Sequence, residues 1–206
     1  MPVLYIHDFI PSTAAEGPGQ RACLWVQGCS VRCPGCMVPH TWDQRKGKAT
    51  DTHTLAQTIL AVPGIEGLTV LGGEPLDQAA ALLPLLQTVK AVGLSLMLFS
   101  GYTKAQLQAE GCPDKQAIMD LCDIFVDGPY VQALTDFSRP WVGSSNQQIY
   151  FQTPTYQHLE NKLSDIQNKV EIRIDENGGV KINGMLPAEK FRLLRQLAAD
   201  LGKQEI

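Results

Sequence analysis

Apolar residues in this chain gather into short, nearly continuous runs separated by stretches with helical spacing. The runs lie at 2–6, 22–27, 67–71, 94–99 and 123–127, with a weaker sixth at 147–151. Short runs of this kind, bounded by glycine or polar turns, read as strands covered on both faces. Four helical patterns lie between them: 52–61 behind Asp51 or Thr52 as a cap, 77–91, 103–109 from Thr103, and 115–122 after Pro113-Asp114. In 77–91 the residues Leu82, Leu83, Leu86 and Val89 share one side. The alternation predicts an α/β fold with a parallel sheet and right-handed crossovers. Periodicity alone leaves a partial barrel and an open doubly wound sheet both standing.

Beyond Thr153-Pro154 the pattern changes. Residues 155–168 predict a polar helix with Tyr156, Leu159, Leu163 and Ile166 as its apolar stripe. VEIRIDENGGVKING alternates with period two on both sides of Glu176-Asn177-Gly178-Gly179, a β-hairpin by its turn residues. A last amphipathic helix starts at Pro187 and stops at Gly202. The expected division is a core over 1–152 and an αββα appendage, helix–hairpin–helix, over 153–206. At about fifty residues the appendage is too small to fold dependably alone, so it should be packed on the core.

Composition narrows the class. The chain has 206 residues, enough for one real core, and a net charge of −4. That balance offers no electrostatic footprint for nucleic acid, and the short basic cluster Arg45, Lys46 and Lys48 reads as a solvated loop. No apolar stretch approaches membrane length, and MPVLYIHDFIPS lacks the features of a signal peptide. A cytoplasmic protein without membrane or nucleic-acid partners is expected. In that compartment clustered cysteines point to metal or catalysis rather than disulfides.

Of six cysteines, three fall together as C-x3-C-x2-C at Cys29, Cys33 and Cys36. Cys23, Cys112 and Cys122 stand apart and read as small buried hydrophobes. Three thiols this close project from a loop around a common centre, and Pro34 and Gly35 favour such a loop. Thiolates suit zinc, copper(I) or iron–sulfur. Zinc would take a fourth ligand, for which His40 is nearest. A cubane cluster held by three thiolates keeps one iron open to a substrate. Both readings stand on the cysteines alone.

The second signal is GLTVLGGEPLDQ at 67–78, a short strand running into Gly72, Gly73, Glu74 and Pro75. A glycine-rich turn at the carboxyl end of a parallel strand is a ligand position in α/β folds. Backbone groups and the Glu74 carboxylate there suit an amino-acid ammonium, although a plain tight turn would use the same residues.

Together the two motifs resemble the radical SAM superfamily, and within it the activating enzymes of glycyl radical enzymes, above all the activases of anaerobic ribonucleotide reductase. The matching residues are GPGQRACLWVQGCSVRCPGC at 17–36, Thr41-Trp42, Gly72-Gly73-Glu74-Pro75-Leu76, Ser100-Gly101-Tyr102, Val126-Asp127-Gly128-Pro129-Tyr130 and Gly143-Ser144-Ser145-Asn146-Gln147. The resemblance implies a partial (β/α)6 barrel and a [4Fe–4S] cluster on Cys29, Cys33 and Cys36. It implies that the backbone of Gly35, Cys36 and Met37 lies against the adenine of S-adenosylmethionine. Gly72, Gly73, Glu74 and Pro75 would hold its methionine end, and Ser100, Gly101 and Tyr102 would lie near its ribose or methionine. The implied reaction is reductive cleavage to a 5′-deoxyadenosyl radical, fed by a flavodoxin- or ferredoxin-type donor. The implied partner is a glycyl radical enzyme. The activases usually carry arginine just before GSSNQ; here Val142 stands there and Arg139 lies three residues earlier. Two other functions remain open: radical modification of a small molecule or peptide, and a zinc-stabilised module without catalysis.

Overall fold

The computed structural model describes residues 2–201. In chain order the strands are β1 (Val3–Thr13), β2 (Arg21–Val26), β3 (Lys48–Asp51), β4 (Gly67–Gly72), β5 (Ser95–Phe99), β6 (Ile124–Asp127), β7 (Gln148–Phe151), β8 (Val170–Ile174) and β9 (Val180–Gly184). The helices are α1 (Thr52–Leu60), α2 (Ala79–Ala91), α3 (Lys104–Glu110), α4 (Pro113–Leu121), α5 (Pro154–Gln157) and α6 (Ala188–Leu201). Seven strands form one sheet in the order β3-β1-β2-β4-β5-β6-β7, and β8 pairs only with β9.

The expected parallel sheet is its centre: β2, β4, β5 and β6 run parallel. Its flanks are antiparallel, with β1 against both β2 and β3, and β7 against β6. Two parts of that arrangement depart from the sequence reading. β1 continues to Thr13 instead of stopping near residue 6. Its inward positions Leu4, Ile6, Ile10 and Thr13 are buried between exposed ones, a half-covered strand rather than a continuous apolar run. β3, Lys-Ala-Thr-Asp, holds no large apolar residue and rests on pairing with residues 3–6 of β1.

One face of the sheet is covered by helices. Leu55 and Ile59 of α1, Leu82, Leu85, Leu86 and Val89 of α2, and Ile118 and Met119 of α4 share a core with Leu24, Val26, Val70, Leu98 and Phe125. Each such side chain, fully buried, contributes about 1.5–3 kcal/mol relative to exposure, so this face anchors the fold. Asp51 accepts the Thr54 N–H at the start of α1, and Thr103 with Gln106 closes a capping box on α3.

The opposite face has a second core of Met97, Ile124, Val126, Trp141, Val142 and Tyr156, with Leu159, Leu163 and Ile166 against it. The apolar stripe expected of 155–168 thus packs on this core, Tyr156 buried and the rest partly so, but the segment is not one helix. It is the single turn α5 and a 3-10 stretch over Glu160–Asp165, broken where Lys162 leaves helical geometry at φ −128°. Asn161, Ser164, Asp165 and Asn168 are weak helix formers, and packing of the stripe dictates the chain path there. The hairpin falls as expected, and α6 starts behind Pro187; its expected stop at Gly202 lies outside the described residues.

Arg21 links the two faces. Its side chain is fully buried and donates to Thr69 Oγ1, to Ser95 Oγ and to Tyr156 Oη at 2.8, 2.8 and 3.1 Å. The Leu68 and Ser95 carbonyls accept from the same guanidinium. These acceptors satisfy a cation that would otherwise be costly to bury, and burial holds its pKa below the usual value.

Candidate functional site

The carboxyl ends of the four parallel strands share one end of the sheet, and the loops that follow them converge there. The loop after β2 is closed at its neck by Gln27, which is buried. Its Nε2 donates to the His40 and Asp43 carbonyls at 2.8 and 2.9 Å. Gly28 N–H and Cys29 N–H donate to Thr41 O and Trp42 O. Inside that neck the chain turns through positive φ at Arg32 (50°) and Gly35 (79°), which sends Cys29, Cys33 and Cys36 off one short loop. All three thiols are partly buried.

Two of the three sulfurs accept from a backbone N–H. Arg32 N–H donates to Cys29 Sγ at 3.5 Å and Val38 N–H to Cys36 Sγ at 3.4 Å. A Tyr130 backbone hydrogen bond lowers the Cys33 pKa. Burial nonetheless raises Cys29 and Cys33 above the ordinary thiol value. N–H groups aimed at sulfur stabilise thiolate ligands. Among the described residues, no three His, Cys, Asp or Glu side chains are gathered tightly enough to hold one metal ion. Tetrahedral zinc with ~2.3 Å bonds would bring its sulfurs to about 3.8 Å from each other. Thiolates on separate irons of a cubane sit wider apart. Three thiols on one loop match the protein ligands of a cluster that keeps one iron open. His40 lies with its ring centroid 4.7 Å from that of His7.

The loop fronts a cavity of about 940 Å³, a size suited to a cofactor-sized ligand. Its walls bring together Gly35, Cys36 and Met37 with Gly72, Gly73, Ser100 and Gly101. The remaining expected contacts point elsewhere. Glu74 is buried beneath the turn, where Oε1 accepts from Leu76 N–H and Ser100 Oγ and Oε2 from Gly101 N–H at 2.7 Å. Burial pushes its pKa up to about 7 against those hydrogen bonds. Glu74 thus fixes the Ser100-Gly101 turn while the glycine backbone faces the cavity. Pro75 is buried behind it and starts the 3-10 turn Pro75–Gln78. The Tyr102 hydroxyl reaches Ser30 Oγ at 2.6 Å and Asp77 Oδ1 at 3.0 Å.

Sequence reasoning missed Asp77, which binds Ser30 N–H (2.7 Å), Ser30 Oγ (2.8 Å) and Tyr102, and so latches three loops together. The signal available was an acidic residue two beyond GGEP. Gln27 and Gln147 were missed as loop clamps too. Gln147 Oε1 accepts from Gly143 N–H and Ser144 N–H, while its Nε2 donates to Gly128 O. Arg139 donates to the Ser144 and Ser145 carbonyls, reaching the GSSNQ turn from four residues upstream. Asp127 caps α3 by accepting from Lys104 N–H at 2.6 Å.

The fit to an iron–sulfur group rests on the sulfurs, their N–H donors and the cavity behind them. The indole Nε1 of Trp42 adds to it, being buried without a partner among the described residues; buried indoles ordinarily donate. The family described as the 4Fe-4S single cluster domain matches residues 15–150, which contain this whole arrangement. The anaerobic ribonucleoside-triphosphate reductase-activating protein of Escherichia coli (strain K12) is 32% identical over 152 residues, 70% of this chain and 96% of that protein.

The chain belongs to the reductase-activating proteins of the 4Fe-4S single cluster domain family.

Other activating proteins agree in extent. That of Vibrio cholerae is 32% identical over 152 residues, covering 70% of this chain and 96% of its own length. That of enterobacteria phage T4 is 30% identical over 156 residues, 73% and 92% of the two chains. The crystal structure of QueE from Escherichia coli overlays on 49% of this chain and 53% of its own, with TM-score 0.42 and 22% identity. As a member of this family the chain carries a 4Fe-4S single cluster domain over residues 15–150. No helix among the described residues is long and apolar enough to cross a membrane.

Proposed function

We propose that this chain uses a cluster held by Cys29, Cys33 and Cys36 to activate a glycyl radical enzyme of the anaerobic ribonucleotide reductase kind, at a backbone glycine. The observation that supports this reading is the loop itself: three cysteines off one short turn, with Cys36 on the wall of a cavity that Gly72, Gly73, Ser100 and Gly101 also line. When bound, the cluster and S-adenosylmethionine supply one-electron cleavage of a sulfonium and a 5′-deoxyadenosyl radical that abstracts hydrogen.

The chain's own residues bind and orient. The backbone of 35–37 takes the adenine, with Met37 beside it, and the Gly72 and Gly73 backbone takes the methionine end. Glu74 is a positioning residue, holding Ser100 and Gly101 against the ribose side, and Pro75 stiffens the turn. Tyr102 holds the cluster loop through Ser30. We take residues 1–152 as a partial (β/α)6 barrel core, with 153–206 packed on it. The electron donor is a flavodoxin or ferredoxin, and the compartment is the cytoplasm.

The test is anaerobic reconstitution with iron and sulfide, expected to load about four irons. It is followed by mixing with an anaerobic ribonucleoside-triphosphate reductase under reducing conditions with S-adenosylmethionine. A glycyl radical signal on the reductase by electron paramagnetic resonance is the expected result. Cluster loading with no such signal would direct the reading to another radical acceptor, and colourless zinc-loaded protein would end it.

A further inference from the structure

The β8–β9 hairpin sits on the molecule with its polar face inward. Cross-strand pairing puts Glu171 with Asn183 and Arg173 with Lys181 on one face, and Ile172 with Ile182 and Ile174 with Val180 on the other. The polar face makes the attachment, to residues 8–16 of β1 and its turn. Glu171 accepts from Ala14 N–H, and Arg173 donates to Ser12 O at 2.7 Å. Lys181 pairs with Asp8 at 2.9 Å, and Asn183 donates to Thr13 Oγ1 and to Glu16, which is itself buried.

The apolar face is left outward. Ile172 and Ile174 are 50% and 68% exposed. Their cross-strand partners Ile182 and Val180 line the same cavity as Cys36, Met37 and Gly73. β9 thus reaches the cavity wall with Lys181 and Asn183 as well as Val180 and Ile182, and the exposed isoleucines of β8 stand beside it. A hairpin that spends its polar side chains on attachment and keeps its isoleucines in water is arranged for contact with something else. It also lies beyond the span matched by the family, residues 15–150.

We propose that this face is the docking platform for the polypeptide that receives the radical, guiding an apolar extended segment into the cavity. The proposal rests on the activating function above, because a backbone glycine can reach the cavity only if its own chain enters it. An extended segment lying over Ile172 and Ile174 would find Val180, Ile182 and Phe191 next to it on the cavity wall. Alternate side chains of that segment would meet these residues and leave its backbone free to pair.

The test is binding, measured on the full-length, cluster-loaded protein with purified anaerobic ribonucleoside-triphosphate reductase by biolayer interferometry, with sedimentation of the protein alone beside it. The double variant Ile172→Glu/Ile174→Glu should weaken reductase binding by about tenfold or more. Both sites are exposed, so the variant should melt like the parent. Val92→Glu, an equally exposed apolar site just after α2 at the opposite end of the sheet, should leave binding unchanged. Equal binding by the double variant and the parent would overturn the proposal, as would no binding by the parent. So would a parental dimer that the double variant abolishes, since a second copy would then cover the face. Release of 5′-deoxyadenosine by the parent without reductase separates the two readings. If it occurs while the platform test fails, only the platform is lost; if it does not occur, the activating function itself fails.

Discussion

Glu74 carries the most legible residue-scale consequence. Its carboxyl is ordinarily half-ionised near 4.5, but in the fold its burial moves that point to about 7. Between those values the folded protein keeps a proton that the unfolded chain has lost. The contribution of Glu74 to stability is therefore greatest below about 4.5 and falls as pH rises toward about 7. Glu74→Gln should flatten that decline, because an amide does not titrate. It should also cost about 1–3 kcal/mol, because one of the Leu76 and Gly101 N–H donors then faces an NH2 group. Urea midpoints at pH 5 and pH 8 for both proteins check the two statements. The three cysteines and GGEP were legible because their spacing is local chemistry. The direction of the Glu74 side chain was not, because it depends on Ser100 and Gly101, which lie in the turn after β5. Asp77 escaped for the same reason: its partners Ser30 and Tyr102 lie 47 and 25 residues away.

At the scale of elements, the turn after β4 and the loop after β2 behave as one unit. Gly73 N–H donates to Val26 O and Glu74 N–H to Gly28 O, at 2.9 and 2.8 Å. A Cβ on Gly73 would stand 2.0 Å from Gly28 O and 2.7 Å from its carbonyl carbon. Backbone cannot yield as a flexible side chain would, so Gly73→Ala should separate the two loops. We expect a loss of about 1–3 kcal/mol or more, read as a lower melting temperature, together with poorer iron incorporation. Asp77→Ala should act more gently, lowering cluster retention during gel filtration while the melting temperature moves little, since the latch is largely exposed. Apolar strands and capped helices were readable from periodicity. β3 was not, because four polar or small residues become a strand only when β1 offers an edge, and the antiparallel direction of β1 is set by the short turn to β2.

For the whole molecule, the stretch just after residue 152 completes the second core. Tyr156 is buried against Met97 and Val126, and its hydroxyl is one of the acceptors that satisfy buried Arg21. Ending the chain at residue 152 should leave the remaining protein unable to fold cooperatively, seen as aggregation or a broad, early thermal transition. A stable, cluster-loading 1–152 fragment would show that this core is dispensable. The apolar stripe of 155–168 is legible in the sequence; the break in the helix it predicts is not. The spacing of buried residues is local, whereas the break at Lys162 follows from the surface on which they land. The central claim, that three cysteines on one loop support reductive cleavage of S-adenosylmethionine, has one direct measurement. The reconstituted protein and Cys33→Ala are each reduced anaerobically with S-adenosylmethionine, and 5′-deoxyadenosine is quantified. The parent should release it and Cys33→Ala should not; equal release from both, or none from a parent loaded with about four irons, would contradict the claim.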